Sequence, residues 1–343
     1  MTTEGAVVLR RTLSGIGRGL LGLIALVALL LTITLTYAEL RRASQETRPR
    51  TQAAPPGGRW VRAHDVDIHL REWGEAGGRT LLLVHGTGAW SGTWIGNVAA
   101  MAAAGFRVVA MDLPPFGFSG LPVNADYGRQ TQARRILAVI AQLGPESVTL
   151  LGHSFGGGPA TEAAMLDPRR IEHLVLVDAA IGLRAGPEQD CELPAGLATV
   201  LAWRGLRTGL VAAVGTEPAL SQFWLRQFVA RQEVVTTERT AIYQQPFSGS
   251  NFSAGLGDWA YQFAASCETP ASTLPKNFRA LAIPVSLVWG ALDSITPVEQ
   301  AQQLRALLPR SRLTLLPGVG HIPQIEDAAQ FNREIAKVLV AAP

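Results

Sequence analysis

Three side chains far apart in the chain have the types and surroundings for nucleophilic chemistry: Ser154, Asp293 and His321. Ser154 lies in Gly152-His153-Ser154-Phe155-Gly156, directly after the apolar run Val148-Thr149-Leu150-Leu151 and shortly before a helix-compatible segment at 159–166. That order reads as strand, sharp turn, helix. A serine at the tip of so tight a turn sits in strained backbone, and glycines beside it remove the side chains that would collide with it. The turn lifts the hydroxyl clear of the sheet. It also leaves the Phe155 N–H at a helix N-terminus, where developing negative charge is favoured.

A serine hydroxyl needs a base, normally a histidine oriented by a carboxylate. Of the six histidines, only His173 and His321 follow Ser154, as the order serine, acid, histidine requires for this kind of elbow. His173 opens a strand at the far end of the sheet. His321 follows the last strand in Leu316-Pro317-Gly318-Val319-Gly320-His321, at the carboxyl edge where Ser154 emerges, and is the expected base. Asp293, just past a parallel strand at the same edge, is the expected acid. Asp178, which ends the preceding strand, is its rival and is placed second because Asp293 shares a crevice with the histidine loop. The turn His85-Gly86-Thr87-Gly88 is expected to aim the Thr87 N–H inward as a second oxyanion donor beside that of Phe155. His85 and His153 are read as structural, and Asp112 as a brace for its own loop. Trp90, Phe116 and Phe118 are pocket candidates, with core packing the competing explanation for each.

The elements that must position these groups follow from the hydrophobic pattern. Apolar runs at 80–84, 106–111, 147–151, 173–177, 284–290 and 312–316 alternate with helical segments near 94–104, 130–143, 159–166, 298–308 and 328–340. An opening hairpin covers 60–63 and 67–73. Strands alternating with helices imply a mostly parallel sheet covered on both faces. The alternation stops between 182 and 277, a stretch too long for a loop in a compact domain, so it reads as an inserted helical cap rich in aromatic residues.

With 343 residues, 48% hydrophobic and 17% charged, the chain has the material for one large domain with an insertion. The net charge of +3 is local: residues 1–59 hold eight arginines and three glutamates, which leaves −2 for residues 60–343. Nucleic acid is therefore not an expected partner. Cys191 and Cys267 have no metal-ligand spacing and the histidines are scattered, so neither metal nor cofactor is expected. If the domain is exported, the two cysteines are candidates for a disulfide, with buried thiols the alternative.

Residues 19–37 carry no charge and are flanked by Arg10, Arg11 and Arg18 before and Arg41 and Arg42 after. As a helix they span roughly 28 Å, close to the hydrocarbon thickness of a bilayer. The run is long for the apolar part of a signal peptide, and arginines follow it at once, so an uncleaved single-pass anchor is favoured over a cleaved signal. Arginines on both sides leave the orientation open, with an extracytoplasmic domain one option. The expected organisation is a tail at 1–18, an anchor at 19–37, a polar linker at 38–58, core at 59–182, cap at 183–277 and core again at 278–343.

Taken together, the His85-Gly86 turn, 112–119, 152–157, 290–293 and Gly320-His321 resemble the α/β-hydrolase fold superfamily over nearly all of residues 60–343. The resemblance implies an eight-stranded sheet and a catalytic triad carried onto Ser154, Asp293 and His321. The serine at the elbow departs from the aspartate of epoxide hydrolases and haloalkane dehalogenases. The segment Asp112-Leu113-Pro114-Pro115-Phe116-Gly117 departs from the commoner Pro-Gly-His-Gly form. The turn His85-Gly86-Thr87-Gly88-Ala89 is also similar to that of accessory proteins of magnesium chelation in bacteriochlorophyll synthesis. The expected activity is cofactor-independent hydrolysis of a carboxylic ester with an apolar or lipid-like moiety through an acyl-enzyme. Carbon–carbon hydrolysis of a diketone and a non-catalytic accessory role on the same fold are the alternatives.

Overall fold

A computed structural model describes residues 3–184, 195–265 and 268–340. In chain order, α1 (Thr3–Gln45) and α2 (Arg50–Ala53) precede the hairpin β1 (Gly58–Ala63) and β2 (Val66–Trp73). There follow β3 (Arg79–Val84), α3 (Val98–Ala103), β4 (Phe106–Met111), α4 (Arg129–Leu143), β5 (Val148–His153), α5 (Gly157–Leu166) and β6 (Ile171–Val177). The insertion carries α6 (Ala195–Ala202), α7 (Arg204–Gly215), α8 (Pro218–Arg226), α9 (Thr237–Gln244) and α10 (Phe252–Ala265), and α11 (Pro275–Ala280) leads back to the sheet. The chain closes with β7 (Val285–Gly290), α12 (Val298–Leu307), β8 (Ser311–Leu316), α13 (Pro323–Glu326) and α14 (Ala328–Val340).

The eight strands form one sheet in the order β1-β2-β4-β3-β5-β6-β7-β8, antiparallel at β1-β2 and β2-β4 and parallel from β4 onward. Side chains alternate across a strand, so consecutive apolar residues serve opposite faces. Leu82, Val84 and Leu150 join Ile136, Val139 and Ile140 of α4 and Ala160 and Ala163 of α5 in one core. Leu81, Leu83 and Leu151 join Val98 and Met101 of α3 and Phe331, Ile335 and Leu339 of α14 in the other. An unbroken apolar run is what a strand covered on both sides needs.

The helix expected near residues 94–104 is shorter. A 3-10 turn at Ser91–Trp94 precedes α3, with Gly96 and Asn97, both poor helix formers, between them. The segment beyond residue 37 also differs from a polar linker, since α1 continues to Gln45. Arg42 pairs with Glu39 and Glu46 at helical spacing, and Ala38 is buried. Residues 35–50 rest on the body: Leu35 meets Gly209 of α7, Arg41 donates to the Thr216 carbonyl, and Glu46 accepts the Ser253 N–H at 2.9 Å. Arg50, partly buried, donates to the Pro115 and Gly117 carbonyls at 2.7 and 2.9 Å. The stretch Arg18–Gln45 has a mean hydropathy of 2.5 in its most apolar window, and is long and apolar enough to cross a membrane. Cys191 and Cys267, and with them the disulfide expectation, lie outside the described residues.

Candidate active site

Ser154 has φ +50°, a left-handed conformation that strains any residue with a Cβ. The packing around it explains the flanking glycines. A Cβ on Gly152 would stand 2.8 Å from the Gly156 carbonyl oxygen, and one on Gly156 would stand 2.4 Å from that of His85. The chain thus turns from β5 into α5 with Ser154 at the apex.

His321 Nε2 is 2.8 Å from Ser154 Oγ, and His321 Nδ1 is 2.8 Å from Asp293 Oδ2. The Asp293 carboxylate also accepts the Ile295 and Thr296 N–H groups on Oδ1 at 2.8 and 3.0 Å, and the Thr296 hydroxyl on Oδ2 at 2.6 Å. Burial works against its charge, but the bonds from His321 and Thr296 outweigh it and hold the carboxyl below the usual carboxylate range. With Nδ1–H directed at Asp293, His321 has Nε2 free to accept the serine proton. Asp178 stands behind Asp293, with Oδ1 accepting the Gly290 N–H at 2.8 Å.

Two further groups set the histidine loop. Burial depresses His153 to about 3, so its ring is neutral and its Nε2–H donates to the His321 carbonyl at 2.8 Å. The Glu326 carboxylate collects the N–H groups of Gly320, Ile322 and Ala230 at 3.0, 3.1 and 2.8 Å, tying the loop to the cap. Sequence reasoning missed Glu326, Thr296 and the role of His153. The only signal for Glu326 was a carboxylate five residues beyond the histidine.

Ser154 and His321 lie at one end of a cavity of about 400 Å³. Thr87 and Gly88 border it on the sheet side, and a Cβ on Gly86 would come within 2.8 Å of Ser154 Cβ, so this turn abuts the serine. The cap lines the cavity with mostly apolar side chains, Val211 and Val214 of α7, Trp224 and Leu225 of α8, and Phe247 and Phe252, interrupted by Ser221, Thr240, Tyr243 and Gln244. Trp90, Phe116 and Phe118 do not line it. All three are buried, Trp90 with Nε1–H donating to the Ile242 carbonyl at 2.8 Å and its ring edge-on to Phe118. Phe116 packs edge-on against Phe155 and Trp259. Asp112 braces its loop, as expected, by accepting the Ser91 and Phe118 N–H groups and bonding His69 Nδ1 at 2.8 Å.

Asp178, Asp293 and His321 are the group of acid and histidine donors gathered closely enough to suit a cation among the described residues. The atoms of Asp293 and His321 that would serve are engaged with one another.

Residues 79–328 match the family model for the alpha/beta hydrolase fold. The chain belongs to the α/β-hydrolase family. A 2-hydroxy-6-oxononadienedioate/2-hydroxy-6-oxononatrienedioate hydrolase of Cupriavidus pinatubonensis is 26% identical over 82% of this chain and 94% of its own length. An uncharacterized protein of Mycobacterium tuberculosis is 29% identical over 83% of this chain and 81% of its own. Among solved structures, a membrane phospholipase A described as a bacterial virulence factor superimposes with a TM-score of 0.66 at 26% identity, covering 95% of this chain and 99% of that one.

Proposed function

We propose that this chain is a membrane-anchored serine hydrolase that cleaves a carboxylic ester with an apolar moiety. The observation that carries the reading is the hydrogen-bonded series Ser154–His321–Asp293 opening onto an apolar cavity. His321 Nε2 takes the Ser154 proton as Oγ bonds to the ester carbonyl carbon. The carbonyl oxygen becomes an oxyanion facing the Phe155 and Thr87 N–H groups, and Asp293 stabilises the imidazolium. Collapse breaks the carbon–oxygen bond to the alcohol, which leaves with the proton from His321. Water activated by His321 then hydrolyses the acyl-enzyme and restores Ser154.

The anchor is supported by the way α1 is built into the body. Removal of residues 1–38 as a signal would strip Leu35 from Gly209 and take away the buried Ala38. Helix α7, which packs on α1, also supplies Leu210 to the cavity wall, and Leu210 is 41% exposed. An exposed apolar residue of the cavity wall on the helix that meets the span supports a lipid-like substrate.

Hydrolysis of a carbon–carbon bond is the second reading, prompted by relatives whose names denote that dicarboxylate chemistry. The cavity wall argues for the ester, because no Arg or Lys among the described residues lines it to receive a carboxylate. A fluorophosphonate should label the wild type and leave Ser154→Ala unlabelled. A panel of p-nitrophenyl esters and a ring-cleaved diketone should show turnover of the esters. Absence of labelling in folded wild type refutes the serine mechanism, and turnover of the diketone alone selects the second reading.

A further inference from the structure

Asp178 was weighed above only as a rival to Asp293. Its surroundings give it a different task. The side chain is fully buried at the end of β6, and its backbone has φ +43°, the left-handed region. The next turn is tied to the elbow, with the Ala180 N–H donating to the Ser154 carbonyl at 2.9 Å. One side-chain atom each of Asp178, Asp293 and His321 lies within 4.8 Å of the others, all three residues being buried.

Two buried carboxyls this close cannot both stay ionised unless donors satisfy each, and the donor inventory says which of them carries a proton. Asp293 already accepts from two backbone N–H groups, the Thr296 hydroxyl and His321 Nδ1, the setting of an ionised acceptor. Asp178 accepts one backbone N–H, that of Gly290, and no donor reaches its buried Oδ2 among the described residues. Two ionised carboxylates cannot share so small a buried space. Burial and the neighbouring Asp293 charge both push the Asp178 carboxyl well above the usual range.

We propose that Asp178 is a positioning residue for the reaction, a neutral carboxylic acid at neutral pH that donates a hydrogen bond to Asp293 and fixes the oxygen facing His321. The positioning role rests on the proposed hydrolase reading; the location of the proton does not. A neutral donor behind the acid holds it in place without adding a second negative charge beside the imidazole, so the base is oriented and its proton affinity is not raised further.

Two variants and one spectrum test this. Asp178→Asn keeps an acceptor for the Gly290 N–H, supplies an amide donor toward Asp293, and tolerates the left-handed backbone. Asp178→Gly fits that backbone and removes the donor. The glycine variant should lose roughly 10- to 100-fold in kcat/KM on a short ester, the scale of a misplaced catalytic group. Asparagine should recover most of this loss, with the acid limb of its kcat/KM profile where the wild type has it. Infrared difference spectra, wild type minus Asp178→Asn, should show a protonated-carboxyl carbonyl band at neutral pH. If Asp178 is ionised in the wild type, the band is missing and asparagine moves the acid limb to lower pH by removing a charge; either result overturns the proposal. Full activity in the glycine variant, or no recovery with asparagine, overturns the positioning role. The spectrum needs no turnover, so an inactive wild type that shows the band counts against hydrolysis and leaves the proton on Asp178.

Discussion

At the edge of the sheet, each reactive group is held by several short polar contacts that tolerate little displacement. Ser154 is pinned in a left-handed turn between two glycines, and His321 is bonded at both ring nitrogens and at its carbonyl. In the cap, Val211 and Val214 of α7, Trp224 and Leu225 of α8, and Phe247 and Phe252 present aliphatic and aromatic side chains to the cavity. The first arrangement selects a reaction, because hydrogen bonds have direction. The second selects a size and a polarity, because apolar contact does not. Substitutions in the two regions should therefore separate rate from substrate range.

The largest effect belongs to the sheet edge. His321→Ala removes the base and the group that the Asp293 bonds orient, and kcat should fall by roughly 10³-fold or more with binding of an apolar ester nearly unchanged. Loss of activity confined to KM would break the division between the regions.

Val214→Trp is the matching change in the cap. Val214 is on α7 and lines the cavity, so an indole there fills space that a long acyl or alcohol chain would use. An ester chain-length series should show kcat/KM for the longest members falling about tenfold or more, since each lost buried methylene is worth about 0.8 kcal/mol. Acetate and butyrate esters should stay within about threefold of wild type on the same principle, their few carbons leaving the filled space unused. A uniform loss along the series would mean that the cap also orders the reactive groups.

The same division governs what was legible in the sequence. Ser154, His321 and Asp293 announced themselves because strained turns and parallel strands leave local marks: glycines beside a serine, apolar runs that end in loops at one edge. The parallel strands β3 to β8 were readable for the same reason, each being a short apolar run whose alternate residues serve two cores. The cavity wall was not readable. Trp224, Phe247 and Phe252 stood out as aromatic residues of the insertion, but which of them face Ser154 depends on how five short helices dock, and helix periodicity alone gives no docking angle. Trp90, Phe116 and Phe118 neighbour the site along the chain, and of the two readings open to them it is core packing that their burial supports. The neutral ring of His153 and the carboxylate of Glu326 bind backbone atoms, and such contacts leave no pattern in residue types.

The smallest expected effect tests whether the cap has any polar anchoring of its own. Asp258 of α10 is buried and receives Arg207 of α7 at 2.6 Å and Arg204, itself 64% exposed, at 2.8 Å. These bonds join the helix that rests on α1 to the one behind the cavity. Asp258→Ala leaves Arg207, largely covered, without its counter-ion. The exposed Arg204 bond adds little, so the loss should be about 1–2 kcal/mol, read as a melting temperature lower by a few degrees. The Ser154–His321–Asp293 series lies outside this contact, so kcat/KM on an acetate ester should stay within about twofold. What should change is discrimination: with α7 less firmly held, the difference between medium and long esters narrows. A fall in short-ester kcat as large as the loss of long-ester selectivity would show that the cap clamp reaches the reactive groups, and the two regions would then have to be treated as one.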